Sequence, residues 1–252
     1  MRKSAVVLII VSIVTLALCF EPLKDSSLIA YFPFDEDFKD ASGRFGEAEI
    51  TGASIGGTVL GKVTIEFKDG VKGAAIYFPG RRGLILPEDL IKDYDYSFAF
   101  WVNPEKFTMH TTTFFGVFVD QNQGYHWVSF VPFGWNQGTL LWSNDSVDSI
   151  WYDGLLEENL QVEKWYHVAV TVDKGKVQVY IDGKPVLKTV QINGQPNAEG
   201  LLPDVFSIKP GGIFTLGVNY WDPAFQGMID ELWIFDRPLT QEEVAVLYEL
   251  KY

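Results

Sequence analysis

The chain has 252 residues, with 20 Lys and Arg against 33 Asp and Glu and a formal net charge of −13, a balance that excludes nucleic acid and anionic lipid as natural partners. One cysteine excludes a disulfide framework. Stability must then come from a core, and a chain in which 47% of residues are hydrophobic is long enough to build one large all-β core.

The N-terminus reads as a secretory signal. Arg2 and Lys3 precede an uncharged apolar stretch from Ala5 to Phe20, and Ala17 and Cys19 stand at minus three and minus one for a cut before Phe20. The run is shorter than a membrane-spanning helix wants. The expectation is a signal peptide over 1–19 and a secreted domain, extracellular or periplasmic, over 20–252, with no membrane insertion after cleavage. An uncleaved anchor and a lipid-modified Cys19 are the alternatives. Cleavage removes Arg2 and Lys3, leaving 18 basic against 33 acidic residues and a net −15.

From Ser26 onward, short alternating or apolar runs recur between Gly, Pro, Asn and Asp clusters, with no long stretch of helical spacing. The predicted strands, in chain order, are Leu28–Phe34, Ala74–Phe78, Tyr96–Val102, Phe114–Val119, His126–Phe133, Thr139–Trp142, Trp165–Asp173, Lys176–Ile181, Ile213–Val218 and Gly227–Phe235. Within His126–Phe133, alternation puts His126, Val128 and Phe130 on one face and Trp127, Ser129 and Val131 on the other, and either set fits the interior. Lys174-Gly175 and Asp182-Gly183 predict tight turns, so Trp165–Leu187 reads as a three-stranded meander. Gln191–Gly212, with three prolines, reads as a long loop on the ligand side. Near the C-terminus Thr240 and Glu243 form a capping-box pattern, with Val244, Leu247 and Tyr248 on one face of a short structural helix.

Four segments then carry a family resemblance. They are Leu28–Asp35 with Asp40-Ala41-Ser42-Gly43; Gly73–Gly80; Tyr96–Val102 with Lys164–Val170 and Tyr180–Gly183; and Phe225–Leu232 running through Phe235–Thr240. In order and content they resemble the laminin-G-like members of the concanavalin A-like lectin and glucanase superfamily, across essentially all of the mature chain. The resemblance implies an all-β fold, a two-sheet antiparallel jelly-roll β-sandwich with a short C-terminal helix. It also implies a structural calcium ion (Ca2+), because in that family an acidic residue after the first strand and the aspartate of a late strand commonly share one. The side-chain ligands implied are Asp35 and Asp230, then Asp40, with Gly43 as a carbonyl donor. The alternative is a solvated acidic turn and a strand-capping aspartate, with Lys39 partly neutralising the cluster. Trp101, Trp165 and His167 read as packed, structural residues.

Aromatic density points to a ligand. Tyr125, Trp127, Trp135, Trp142, Trp151 and Tyr152 crowd one span, and Tyr220 and Trp221 come later, all among amides and carboxylates. Sugars offer an apolar C–H face and a hydroxyl rim, which suit exposed rings flanked by such groups. Trp135, Trp151, Tyr152 and Trp221 occupy loop-like positions and are expected to be exposed and ligand-binding, with Tyr220 and Asn136. For catalysis the family's glycan-cleaving enzymes use carboxylates on alternate residues of a strand, and here Met228 stands where the first is needed, while Asp230 and Glu231 would face opposite ways. The expectation is therefore a non-catalytic, lectin-like module binding a polysaccharide or glycan. A domain that binds a surface protein and a glycoside hydrolase with a noncanonical site are the rivals.

Overall fold

The computed structural model describes residues 20–250 except 60, 62–64, 121–123, 136–137 and 209. The expected signal segment and Asn136 lie outside the described residues. In chain order the strands are β1 (Leu28–Phe32), β2 (Glu49–Thr51), β3 (Glu66–Asp69), β4 (Ala74–Pro79), β5 (Gly83–Ile85), β6 (Tyr96–Lys106), β7 (Phe114–Asp120), β8 (Gly124–Val131) and β9 (Leu140–Asp145). They continue with β10 (Ile150–Leu156), β11 (Tyr166–Asp173), β12 (Lys176–Ile181), β13 (Lys184–Pro185), β14 (Leu187–Ile192), β15 (Gln195–Pro196), β16 (Ile213–Leu216) and β17 (Gln226–Phe235), and end in helix α1 (Gln241–Glu249).

The strands form two antiparallel sheets. The first runs β13-β12-β11-β6-β17-β4-β3 with β1 also on β17, and the second runs β15-β14-β10-β9-β8-β7-β16-β5-β2. Side chains such as Phe32, Phe78, Phe98, Phe100, Phe130 and Tyr152 fill the space between them, as aligned sheet packing requires. Phe98 and Phe100 on one sheet meet Phe114 and Phe130 on the other, at centroid separations of 4.1 and 5.9 Å.

Each outer face carries its own apolar cluster. On the first sheet, Tyr31, Ala99, Ala169, Tyr180 and Trp233 are covered by Leu239, Val244 and Leu247. The capping box forms as expected: Thr240 accepts from the Glu243 amide at 3.3 Å, and the Glu243 carboxylate accepts from the Thr240 amide at 2.8 Å. Trp101 and His167 pack beneath Tyr248 of the same helix, with centroids 5.6 and 6.0 Å away, so they are structural but lie outside the main core. Trp165 precedes β11 and is half-buried rather than a strand pillar.

Both two-residue turns adopt the positive φ angles they were predicted to need, 46° and 80° at Lys174-Gly175 and 50° and 74° at Asp182-Gly183. Gln191–Gly212 behaves differently from expectation. It includes the end of β14 and β15, and Leu202, Val205 and Phe206 are buried in the main core. Apolar burial makes this segment a plug closing the gap between the sheets. No helix among the described residues is long and apolar enough to cross a membrane.

Candidate functional site: an aromatic face on the second sheet

The outer face of the second sheet is built by alternation. Val128 and Phe130 of β8 point into the main core, which turns Trp127 and Val131 outward. On β9, Leu141 points in while Leu140 and Trp142 point out. Strand β10 puts Tyr152 inside and Trp151 and Leu155 outside. Pairing aligns these strands into two lateral rows. One runs Val117, Trp127, Asn144, Trp151 and the other Phe115, Ser129, Trp142, Asp153, Gln191.

Five indoles form a connected set. Trp127 and Trp142 are the floor, 5.3 Å apart at 81°, and Trp151 leans on both at 5.6 Å and 5.0 Å in edge-to-face geometry. Trp135 extends the set at one end, 5.6 Å from Trp142 and 4.4 Å from His110. Trp221 extends it at the other, against Trp127 at 6.3 Å and Tyr125 at 5.0 Å. Trp135 and Trp221 are 42% and 52% exposed, Trp151 is half-buried, and the floor rings are nearly covered.

The exposed rings are held by hydrogen bonds from below. The Asn219 carboxamide oxygen accepts from the amides of Trp221 and Asp222, both at 2.8 Å, and its nitrogen donates to Asp222 at 2.7 Å. Ile55 in turn donates its amide to the Asn219 carbonyl at 3.0 Å. The Trp151 amide donates to Asn193 Oδ1 at 2.8 Å, and its indole N–H donates to Asp153 Oδ1 at 3.1 Å. The Trp142 indole N–H lies toward the same carboxylate without reaching normal bonding geometry. Burial pushes the Asp153 carboxyl above the ordinary aspartate range, against the pull of the two indole donors.

Of the residues expected to bind ligand, the structure brings Trp135, Trp151, Trp221 and half-buried Tyr220 to this face, Tyr220 packing 5.3 Å from Tyr125. Tyr152 is a correction. It is 1% exposed and faces the main core, because Ile150–Leu156 is a strand rather than a loop and alternation sends neighbours to opposite sides. Trp127, Trp142, Tyr125, Asp153, His110 and Gln191 were not singled out as ligand-facing. The signal for Trp127 was its own alternation with Val128 and Phe130; that for Asp153 was its two-residue offset from Trp151.

The acidic residues expected to hold calcium separate into two places. Asp40 closes its own turn, accepting the amides of Tyr31, Ser42, Arg44 and Phe45 and the Ser42 hydroxyl at 2.7 to 3.0 Å. Gly43, at φ 74°, completes that turn. These two residues are committed to the loop. Lys39 donates to Asp37 at 2.6 Å.

Asp230 sits elsewhere, where β17 exchanges one neighbour for another. Its edge pairs with β4 through Ile229 and with β1 from Leu232. The ladder to β6 shifts register between Asp230 and Trp233, and Glu231 takes φ 51°. Such a bulge re-aims side chains and stores strain, so the simple alternation expected for Asp230 and Glu231 does not hold. Asp230 Oδ2 accepts the Val71 and Lys72 amides at 2.8 and 3.3 Å. Asp230 Oδ1 is buried without a hydrogen bond. Burial pushes the Asp230 carboxyl up to about 7. Glu231 accepts the Tyr31 hydroxyl at 2.8 Å, with Lys72 at 3.7 Å, and Asp35 accepts the Ala74 amide at 2.9 Å from the same turn. Among the described residues no three acidic, histidine or cysteine side chains converge as a metal cluster. An ion beside Asp35 and Asp230 would take most of its shell from backbone carbonyls.

Another cleft lies between the 89–96 segment and the end of β17. Three of its carboxylates accept backbone amides: Asp89 those of Gly211 and Gly212, Asp93 that of Tyr94 and Asp95 that of Lys174.

Comparison with known proteins agrees with this architecture. Residues 78–245 match the family model of the concanavalin A-like lectin/glucanases superfamily. The chain is similar to domain 4 of AbnA, a GH43 extracellular arabinanase from Geobacillus stearothermophilus, solved in complex with arabinotriose: 40% identity, TM-score 0.75, covering 88% of this chain and 98% of that one. Trypanosoma rangeli sialidase shares 14% identity at a TM-score of 0.55, over 91% of this chain but about a third (34%) of the sialidase. The binding domain of Paraclostridial Mosquitocidal Protein 1 shares 18% identity at a TM-score of 0.56, over 90% of this chain and 52% of that one. These two likenesses concern the fold alone. No curated protein sequence matches the chain.

Proposed function

The chain belongs to the concanavalin A-like lectin/glucanase superfamily, and on that footing we propose that it is an exported, non-catalytic module that binds a polysaccharide along the aromatic face of the second sheet. The observation that carries this reading is the pair of exposed indoles, Trp135 and Trp221, held at opposite ends of one connected set of rings. Stacking sugar C–H faces on pre-positioned rings gives affinity without ordering flexible groups. The arabinotriose bound to the similar arabinanase domain supports the reading and makes arabinan the first ligand to try.

Binding without cleavage is part of the proposal. Glycan hydrolysis needs two carboxyls about 5–10 Å apart across the scissile bond, whereas Asp153 is flanked in register by Trp142 and Gln191. Affinity electrophoresis in arabinan, with Trp221→Ala and Trp135→Ala, tests the site. Each substitution should weaken retention by about tenfold, equivalent to roughly 1.4 kcal/mol per ring lost. Unchanged retention in both would remove the assignment, and reducing ends released from the same polymer would replace binding with hydrolysis.

A structural calcium ion held by Asp35 and Asp230 with backbone carbonyls completes the proposal. The unbonded, buried Asp230 Oδ1 supports it, since a hard cation takes oxygen ligands that have no other partner. Export through 1–19 belongs to the same reading, and the mass of the mature protein tests it.

A further inference from the structure

From Phe107 to Glu163 the chain contains no lysine or arginine, although seven acidic residues fall there. That stretch supplies β7 to β10, the strands that carry the aromatic face. The loop presenting Trp221, residues 218–224, also lacks both cations. The chain as a whole has 20 Lys and Arg, and within the strands of the second sheet Lys188 of β14, the neighbour of β10, is the one Lys or Arg.

Inside the gap in basic residues one carboxylate is built into the aromatic face. Asp153 is buried on the outer face, bonded to the Trp151 indole and lying in register between Trp142 and Gln191. A second, Asp222, stands at the foot of Trp221, held by the Asn219 side chain. An ionised carboxylate only accepts hydrogen bonds. A sugar hydroxyl can donate to it, whereas the carboxylate of a uronate or sialate, or a sulfate group, cannot. An anionic group placed there would lose water and meet no Lys or Arg from β7 to β10 or from the 218–224 loop.

We infer that the aromatic face selects neutral glycans and turns away those bearing carboxylate or sulfate groups, with Asp153 as the specificity-determining charge. The inference rests on the glycan-binding reading of the same face. Repulsion between like charges in a partly dry site discriminates more sharply than fit alone.

Affinity electrophoresis of the full chain at pH 8 separates the two ideas, using arabinan and xylan as neutral polymers and polygalacturonate as the acidic one. The wild type should be retarded by a neutral polymer to the same degree at low salt and at roughly 0.5 M salt, and not by polygalacturonate. Asp153→Asn should raise retention by polygalacturonate relative to neutral polymer by about tenfold at low salt. Gln191→Lys, which leaves the buried carboxylate in place and adds a cation beside it, should do the same. Equal wild-type retention by acidic and neutral polymers would overturn the inference and leave the glycan reading standing, as would an unchanged ratio in both variants. Retention by none of the polymers would overturn the glycan reading itself, and this inference with it.

Discussion

Removing calcium should destabilise the protein in a pH-dependent way that traces to Asp230. Its carboxyl is fully buried and raised from 3.8 to about 7, so the native state without a cation holds this proton more tightly than the unfolded chain does. The penalty for ionising it is absent below about pH 4, grows as pH rises, and is complete above about 7. A rise of about three units corresponds to at most about 4 kcal/mol, and a protein of this size shifts its Tm by about 2–4 °C per kcal/mol. In EDTA the Tm should therefore fall by as much as roughly 8–16 °C between pH 4 and pH 8 from this group. Excess calcium should flatten that slope, because the ion binds the ionised form. Differential scanning calorimetry at several pH values, with and without calcium, measures both effects. Asp230→Asn cannot ionise, so in EDTA at pH 8 it should melt above the wild type and ignore calcium. Identical melting in EDTA and calcium across the range would refute the metal reading; an EDTA profile shared by wild type and Asp230→Asn would refute the buried-charge argument.

Three further substitutions test separate parts of the structure. Gly73 has φ 69°, and a β-carbon there would strike the Asp35 carboxylate; Gly73→Ala should cost about 2 kcal/mol or more and shrink the calcium response of the Tm, and a wild-type response would remove Asp35 from the site. Thr240→Ala deletes one arm of the capping box and should lower stability by about 1 kcal/mol, read as a small loss of denaturant midpoint with glycan retention unchanged. Tyr152→Phe should leave retention intact, since its ring faces the main core, so a binding defect without loss of stability would contradict the face assignments.

The fold was legible wherever a residue's local preference and its tertiary role coincide. Asp182-Gly183 and Thr240 with Glu243 are determined by backbone sterics and by hydrogen bonds three residues apart, and both formed as read. The long apolar strands were equally plain. Strands β2, β3 and β5 are three or four residues long and too short to show a period. Strand β10 was hidden for another reason: Asp153 and Gly154 interrupt Ile150–Leu156, and its neighbours Asp148 and Ser149 look like loop. Reading it as a loop made Trp151 and Tyr152 equivalent, when the pleat sends them to opposite sides of the sheet. Asp230 was found through its resemblance to a family pattern, but its bulge was not readable. That bulge depends on β1 and β4 sharing one edge of β17, a pairing between segments far apart in sequence.

The two outer faces of the sandwich differ in what covers their apolar clusters, and the difference supports the proposed ligand role of the aromatic set. Both faces carry apolar clusters of similar make-up. On the first sheet the cluster is closed by α1, whose Val244 and Leu247 are buried and whose capping box fixes its start. On the second sheet, among the described residues, no helix lies over the rings, and the indoles at the ends, Trp135 and Trp221, remain about half exposed. A half-exposed tryptophan forgoes about half of the burial energy its ring could gain, so packing alone does not explain why four hydrogen bonds anchor the turn beneath Trp221. Those bonds fix the ring before anything binds, and pre-positioning lowers the entropy lost when a sugar stacks on it. Rigid support beneath an uncovered ring is what a binding platform requires, and loosening that support should weaken retention even though no atom of the ring is changed. Asn219→Ala is the direct case: arabinan retention should fall toward the Trp221→Ala level while the Trp135 end of the aromatic face stays intact, and full retention in Asn219→Ala would show that the ring needs no such support.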